Sequence, residues 1–114
     1  MNWEDAVRWC LAQPDMSELA KASYFDEPEM AAKRYRNSAE FAAIQEWLPA
    51  KKGRALDLGA GNGILSWALA TDGWDVTAVE PDPSDLIGAG AIRQLSRDTG
   101  VPIKVVEAFG ESIP

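Results

Sequence analysis

Three glycines and two carboxylates hold the chemistry that the sequence of this 114-residue chain points to. The glycines stand in the string Asp57-Leu58-Gly59-Ala60-Gly61-Asn62-Gly63, between an apolar run at 55–58 and a helical run at 64–70. Strand, glycine turn and helix in that order offer backbone N–H groups to an anionic or polar nucleotide-like ligand. The turn needs backbone conformations that a Cβ forbids, and a ligand reaches the backbone only where no side chain intervenes. The second carboxylate, Glu80, ends the next apolar run, twenty-one positions after Gly59. At that spacing an acid accepts hydrogen bonds from ribose hydroxyls. The plainer alternative is a solvated acid at a strand end.

The spacing separates the ligand classes that use this layout. A P-loop needs a lysine and a Ser or Thr after its glycines, and neither follows here at that spacing. A dinucleotide site wants Gly-x-Gly-x-x-Gly, but Ile64 takes the place of the third glycine. That disfavours half of an NAD-type oxidoreductase. Asp57, two positions before Gly59, would repel a pyrophosphate and suits a ligand with positive charge. It also reads simply as a carboxylate that caps the turn.

Three strand and helix alternations must position these groups. Strand one is expected at 54–58, a helix at 63–71 with Ile64, Leu65, Ala68 and Leu69 toward the sheet, and strand two at 74–79. Ser84 and Asp85 are expected to cap a helix running toward Asp98 and closing at Gly100. Gly88 and Gly90 inside it call for close packing or a delayed helix start. Strand three is expected at 103–107. Apolar strands separated by helical runs give a parallel sheet with right-handed crossovers.

Before the sheet, Asn2 caps a first helix with Trp3, Val7, Cys10 and Leu11 on its packing face, stopped by Pro14. A short helix is expected at 17–22, then a loop at 24–27 leading into a helix with Pro28 in its first turn. Ser38 restarts or caps a further part, whose buried stripe is Phe41, Ile44 and Leu48 with Trp47 beside it. Arg34 and Arg36 could reach a ligand carboxylate or could be solvated helix charges.

Composition narrows the partners. Eleven Lys+Arg against eighteen Asp+Glu leave a net charge of −7, against a nucleic-acid substrate. One cysteine, Cys10, and no histidine remove a disulfide framework and the commonest zinc ligand, so no metal site is expected. No apolar run approaches the ~20 residues that cross a bilayer. A reducing, cytoplasmic setting is the expectation.

Asp57-x-Gly59-x-Gly61-x-Gly63 resembles the first motif of class I S-adenosylmethionine-dependent methyltransferases. Val79-Glu80-Pro81-Asp82 resembles their second-strand acidic motif. Ala108-Phe109-Gly110-Glu111-Ser112-Ile113-Pro114 resembles the segment after strand three in the small-molecule, ubiquinone- and menaquinone-biosynthesis-type branch. The resemblance runs over about residues 38–114. It implies an α/β, Rossmann-like three-layer sandwich truncated to three parallel strands in the order 3-2-1, with N-terminal helices. It divides the chain into a helical segment, 1–53, and the first half of a cofactor-binding domain, 54–114.

The implied cofactor is S-adenosylmethionine, with Asp57, Gly59, Ala60, Gly61, Glu80, Pro81, Ala108 and Phe109 as its binding residues. The glycines would carry the methionine part, Asp57 its cationic amino end, and Glu80 both ribose hydroxyls. Pro81 would flank the adenine, with Ala108 and Phe109 at its edge. Phe109 stands where the family has an acid, so aromatic packing on the ring, or a place in the core, is expected of it. Trp67 and Trp74 are expected near the site.

The family's sheet has seven strands, and the acceptor is held from strand four onward. The chain is therefore expected to bind cofactor for a small-molecule methyltransferase without being catalytic alone, and no catalytic residue is assigned. The alternative is a non-catalytic dimerisation or regulatory module that keeps the fold. With strand one at the margin, its outer edge is expected to self-associate, strand one to strand one.

Overall fold

The computed structural model describes residues 2–13 and 28–112. The helix expected at 17–22, the loop at 24–27, the stop at Pro14 and the closing Ile113-Pro114 lie outside the described residues. Helix α1, Trp3–Ala12, starts where Asn2 Oδ1 accepts the Asp5 N–H at 2.7 Å. Its expected packing face is only partly realised. Val7 is buried and Cys10 half-buried, but Trp3 is 55% exposed; the side chain of Leu11 lies outside the described residues.

Helix α2, Pro28–Arg36, and helix α3, Ala39–Trp47, meet at Ser38. Its hydroxyl accepts the Phe41 N–H at 3.1 Å and donates to the Tyr35 carbonyl at 2.6 Å, ending one helix and capping the next. Phe41 is the buried anchor of α3, with the Tyr35 ring 5.7 Å away, whereas Trp47 faces solvent.

Strands β1, Arg54–Leu58, β2, Asp75–Val79, and β3, Lys104–Val106, form one parallel sheet in the order β1-β2-β3. Arg54 lies opposite Asp75, Leu58 opposite Val79, and Val79 opposite Val106. This is a Rossmann-like α/β arrangement of three parallel strands ordered 3-2-1, as the sequence leads one to expect. Helix α4, Ile64–Thr71, joins β1 to β2, and helix α5, Ala89–Thr99, joins β2 to β3 before a left-handed Gly100.

Alternation along the strands assigns their two faces. Ala55 and Val76 pack with Phe41, Ala68 and Leu69, and a second cluster joins Ala32, Trp67 and Leu95. Thus α2, α3, α4 and α5 gather on one face. On the other, Leu56 and Leu58 are each more than half exposed. There the 3₁₀ turn Gly110–Ser112 approaches Leu58.

One expected start is displaced. Ser84 does not cap α5; its hydroxyl accepts the Ile87 N–H at 3.2 Å within a preceding turn, and α5 begins at Ala89 with Gly88 as its N-cap. The turn folds the chain onto itself, the Asp82 carbonyl accepting the Ala89 N–H at 2.7 Å. A Cβ on Gly88 would lie 2.1 Å from that carbonyl oxygen. Close packing and a delayed start therefore both hold for this glycine.

Candidate functional site

Parallel pairing of β1 with β2 brings their C-terminal ends side by side, so the glycine bend at 59–63 and Glu80 are neighbours. Gly59, Gly61 and Gly63 all take left-handed backbone conformations, with φ of 68°, 61° and 86°. Gly63 is constrained further, since a Cβ there would lie 2.9 Å from Ile92. The bend is held from inside. The Val79 carbonyl accepts the Gly59 and Ala60 N–H groups at 2.9 and 3.1 Å, and the Ala60 carbonyl accepts the Gly63 N–H at 3.0 Å.

Glu80 completes this closure. Its Oε1 accepts the Gly61 N–H at 2.8 Å and its Oε2 accepts the Asp82 N–H at 2.9 Å. It is 8% exposed, so it is not a solvated strand-end acid. A buried carboxylate persists only with such compensation, and charge-assisted bonds to backbone amides supply it. Each oxygen keeps a second lone pair for a further donor.

This geometry corrects one expectation. The N–H groups of Gly59, Ala60, Gly61 and Gly63 are not offered to an anion; closing the bend and anchoring Glu80 consume them. What the strand ends offer is acceptors and negative charge, from Glu80 and Asp57.

Asp57 turns to the helical face, where Ser66 Oγ donates to its Oδ2 at 2.7 Å. Burial pushes the Asp57 carboxyl above the ordinary carboxylate range; the Ser66 bonds oppose this, and the nearby Glu80 charge adds to it. Ser66, fully buried in α4, is a functional neighbour that motif spacing does not reveal. Its signal is a lone hydroxyl within the apolar helix Ile64-Leu65-Ser66-Trp67-Ala68-Leu69.

Beyond Glu80, Pro81 and Phe109 line a cleft of about 860 Å³ together with Asp82 and Leu86. Phe109 is 62% exposed, so the core placement fails. Ala108, just before it, is partly buried. The cleft's other wall is α1, through Asn2, Glu4 and Arg8. Nothing in the sequence links that helix to residues some eighty positions away.

Other expected residues lie elsewhere. Arg36 bonds Asp72 through Nε at 3.2 Å and Nη2 at 2.8 Å, at the C-terminal end of α4, away from the bend. Trp74 precedes β2 and so sits at the sheet end opposite the site. Trp67 is buried between helices, its Nε1 donating to Thr99 Oγ1 at 2.9 Å. Among the described residues no group of His, Cys, Asp and Glu is placed to hold a metal, and no helix is long and apolar enough to cross a membrane.

No protein-family model matches the chain. Over 56 residues it is 48% identical to an uncharacterized methyltransferase of Mycobacterium bovis and, to the same degree, to one of Mycobacterium tuberculosis. The match takes in 49% of this chain and 23% of each relative, so the chain corresponds to about a quarter of their length. Among solved structures it is similar to coclaurine N-methyltransferase bound to N-methylheliamine and SAH, with a TM-score of 0.50 and 23% identity over 68% of this chain and 22% of that one. The chain has a Rossmann-like fold and, over those 56 residues, is similar in sequence to uncharacterized methyltransferases.

Proposed function

We propose that this chain is the S-adenosylmethionine-binding portion of a small-molecule methyltransferase. One observation carries the proposal: Glu80 is buried beside a glycine bend whose N–H donors are already committed. A site of acceptors and negative charge suits a ligand rich in donors and positive charge. The cofactor has both, in its ribose diol, ammonium and sulfonium. A pyrophosphate has neither, and it would meet Asp57 and Glu80 as like charges.

In this reading Glu80 takes the ribose hydroxyls, Asp57 the ammonium, and Gly59, Ala60 and Gly61 lie along the methionine part. Pro81, Ala108 and Phe109 border the adenine in the large cleft. Residues 54–114 then make the first half of the cofactor domain, with 1–53 the segment whose described helices accompany it. When bound, the cofactor supplies an electrophilic methyl group on sulfur. Transfer further requires an acceptor held in line with that methyl. We assign that task to the part of such methyltransferases that this chain does not match, and hence no catalysis to this chain alone. The segment from Ala108 onward supports the quinone-biosynthesis-type, small-molecule branch.

Calorimetric titration with S-adenosylhomocysteine tests this. We expect a dissociation constant on the order of micromolar, weakened at least about tenfold by Glu80→Ala. Absence of binding, or binding of NAD in its place, would refute it.

A second reading, a dimerisation module that keeps the fold, is favoured by the open margin of the sheet. Among the described residues β1 pairs on one side only, with β2, and Leu56 and Leu58 are exposed on its face away from the helices. Such an edge invites pairing with another copy. Light scattering that finds only monomer at high concentration would count against it.

A further inference from the structure

The cleft assigned to the adenine has two unlike walls. Pro81 and Phe109 on one side are apolar, so they can flank the faces of a purine but give its edge no side-chain donor or acceptor. Glu4 and Arg8 of α1 line the same cleft from the other side. They stand one helical turn apart on one face, and Arg8 Nη2 donates to Glu4 Oε1 at 2.8 Å. The Glu4 side chain is 26% exposed against 62% for Arg8, so the carboxylate is the more sheltered of the two. The helix that carries them is capped by Asn2 and held through buried Val7.

An ion pair between helix neighbours adds little to stability where solvent reaches it. Its place in the cleft gives it a different use. The Watson–Crick edge of adenine presents a donor, the 6-amino group, beside an acceptor, the ring nitrogen N1. The pair on α1 presents the complement, an acceptor beside a donor. A carboxylate accepts at two oxygens and a guanidinium carries five N–H donors, so the bond between them leaves each with capacity for the base. Apolar groups on the faces of a base and polar groups on its Watson–Crick edge are a general mode of nucleobase recognition.

We propose that Glu4 and Arg8 read the edge of the cofactor's adenine, Glu4 accepting from the 6-amino group and Arg8 donating to N1. This rests on the S-adenosylmethionine reading of the site. The consequence is selection of adenine over hypoxanthine, whose edge carries the reverse pattern, a carbonyl oxygen beside an N1–H. Against hypoxanthine Glu4 would meet an acceptor and Arg8 a donor. Helix α1 thus sets base specificity for a site whose ribose and methionine contacts come from the strand ends.

The test sets S-adenosylhomocysteine beside S-inosylhomocysteine, the same molecule with its adenine deaminated to hypoxanthine. By calorimetry the native chain should prefer the adenine ligand at least about tenfold. Glu4→Ala should weaken S-adenosylhomocysteine and cut that preference to about twofold or less. Arg8→Ala should cut it in part. S-inosylhomocysteine should bind both variants at least as tightly as it binds the native chain, which also shows that they are folded. If the native chain binds the two ligands alike, the edge reading is wrong while the site reading stands. A variant that keeps the full preference overturns the role of the residue it replaces. Equal weakening of both ligands by Glu4→Ala would leave that residue a structural part only and would overturn the proposal too. If the native chain binds neither ligand, the site reading and this one fall together.

Discussion

The two faces of β1 are made by alternate residues of one five-residue strand, yet they meet opposite conditions. Ala55 and Asp57 turn toward the helices, where Ala55 joins the Phe41 cluster and Asp57 finds Ser66. Leu56 and Leu58 turn the other way and are each more than half exposed. An apolar residue earns stability only where something covers it. The helical face therefore carries the stability of the chain and one wall of its site, while the other face carries apolar area that contributes little until a partner meets it.

The largest expected effect lies under the helices. Phe41→Ala should cost about 4 kcal/mol, read as a fall in the chemical-denaturation midpoint, whereas Leu56→Ala should cost under about 0.5 kcal/mol. Equal effects would erase the distinction between the faces.

Next comes the hydrogen bond at the site wall. Ser66→Ala removes the donor to Asp57 in a buried setting and should cost about 1–2 kcal/mol. Unchanged stability would mean that water replaces the hydroxyl.

Asp57 itself gives a prediction about sign. Its carboxyl is raised in the folded chain, chiefly by burial. Its contribution is therefore fully present below the unfolded carboxylate pKa and is lost as pH rises through the folded value. At neutral pH the ionised group opposes folding. Asp57→Asn, which can still accept from Ser66, should then be more stable than the native chain at neutral pH in the absence of ligand. It should lose the part of the pH dependence that Asp57 contributes, while binding S-adenosylhomocysteine more weakly. A variant less stable at neutral pH would contradict this. Stability given up for a charged binding group is the trade expected at functional sites.

The smallest effect on stability falls on the open face. Leu56→Lys should change unfolding by less than about 0.5 kcal/mol but reduce self-association measured by sedimentation. If association persists, its surface lies away from β1.

Much of this layout was legible in the sequence because local rules decided it. β1 was located by its apolar run ahead of the glycines, and α3 by Ser38 as a cap. The adjacency of Glu80 to the bend follows from parallel pairing of successive strands. What stayed hidden depends on contacts distant in sequence. The commitment of the loop N–H groups to Val79 and Glu80 inverts the expected polarity of the bend, and it follows only from the tertiary closure. α1 as a cleft wall, Arg36 drawn to Asp72 and Phe109 outside the core share that origin. The α5 start was misplaced because Ser84 and Asp85 are good caps locally, whereas Gly88 packed on Asp82 decides the outcome.

A crystal structure of the chain with S-adenosylhomocysteine would show directly whether Glu80 binds ribose. Both ribose hydroxyls should lie within hydrogen-bond distance of Glu80, with the adenine between Pro81 and Phe109. A ligand bound elsewhere, or one at the bend that leaves Glu80 bonded to Gly61 and Asp82 alone, would contradict it.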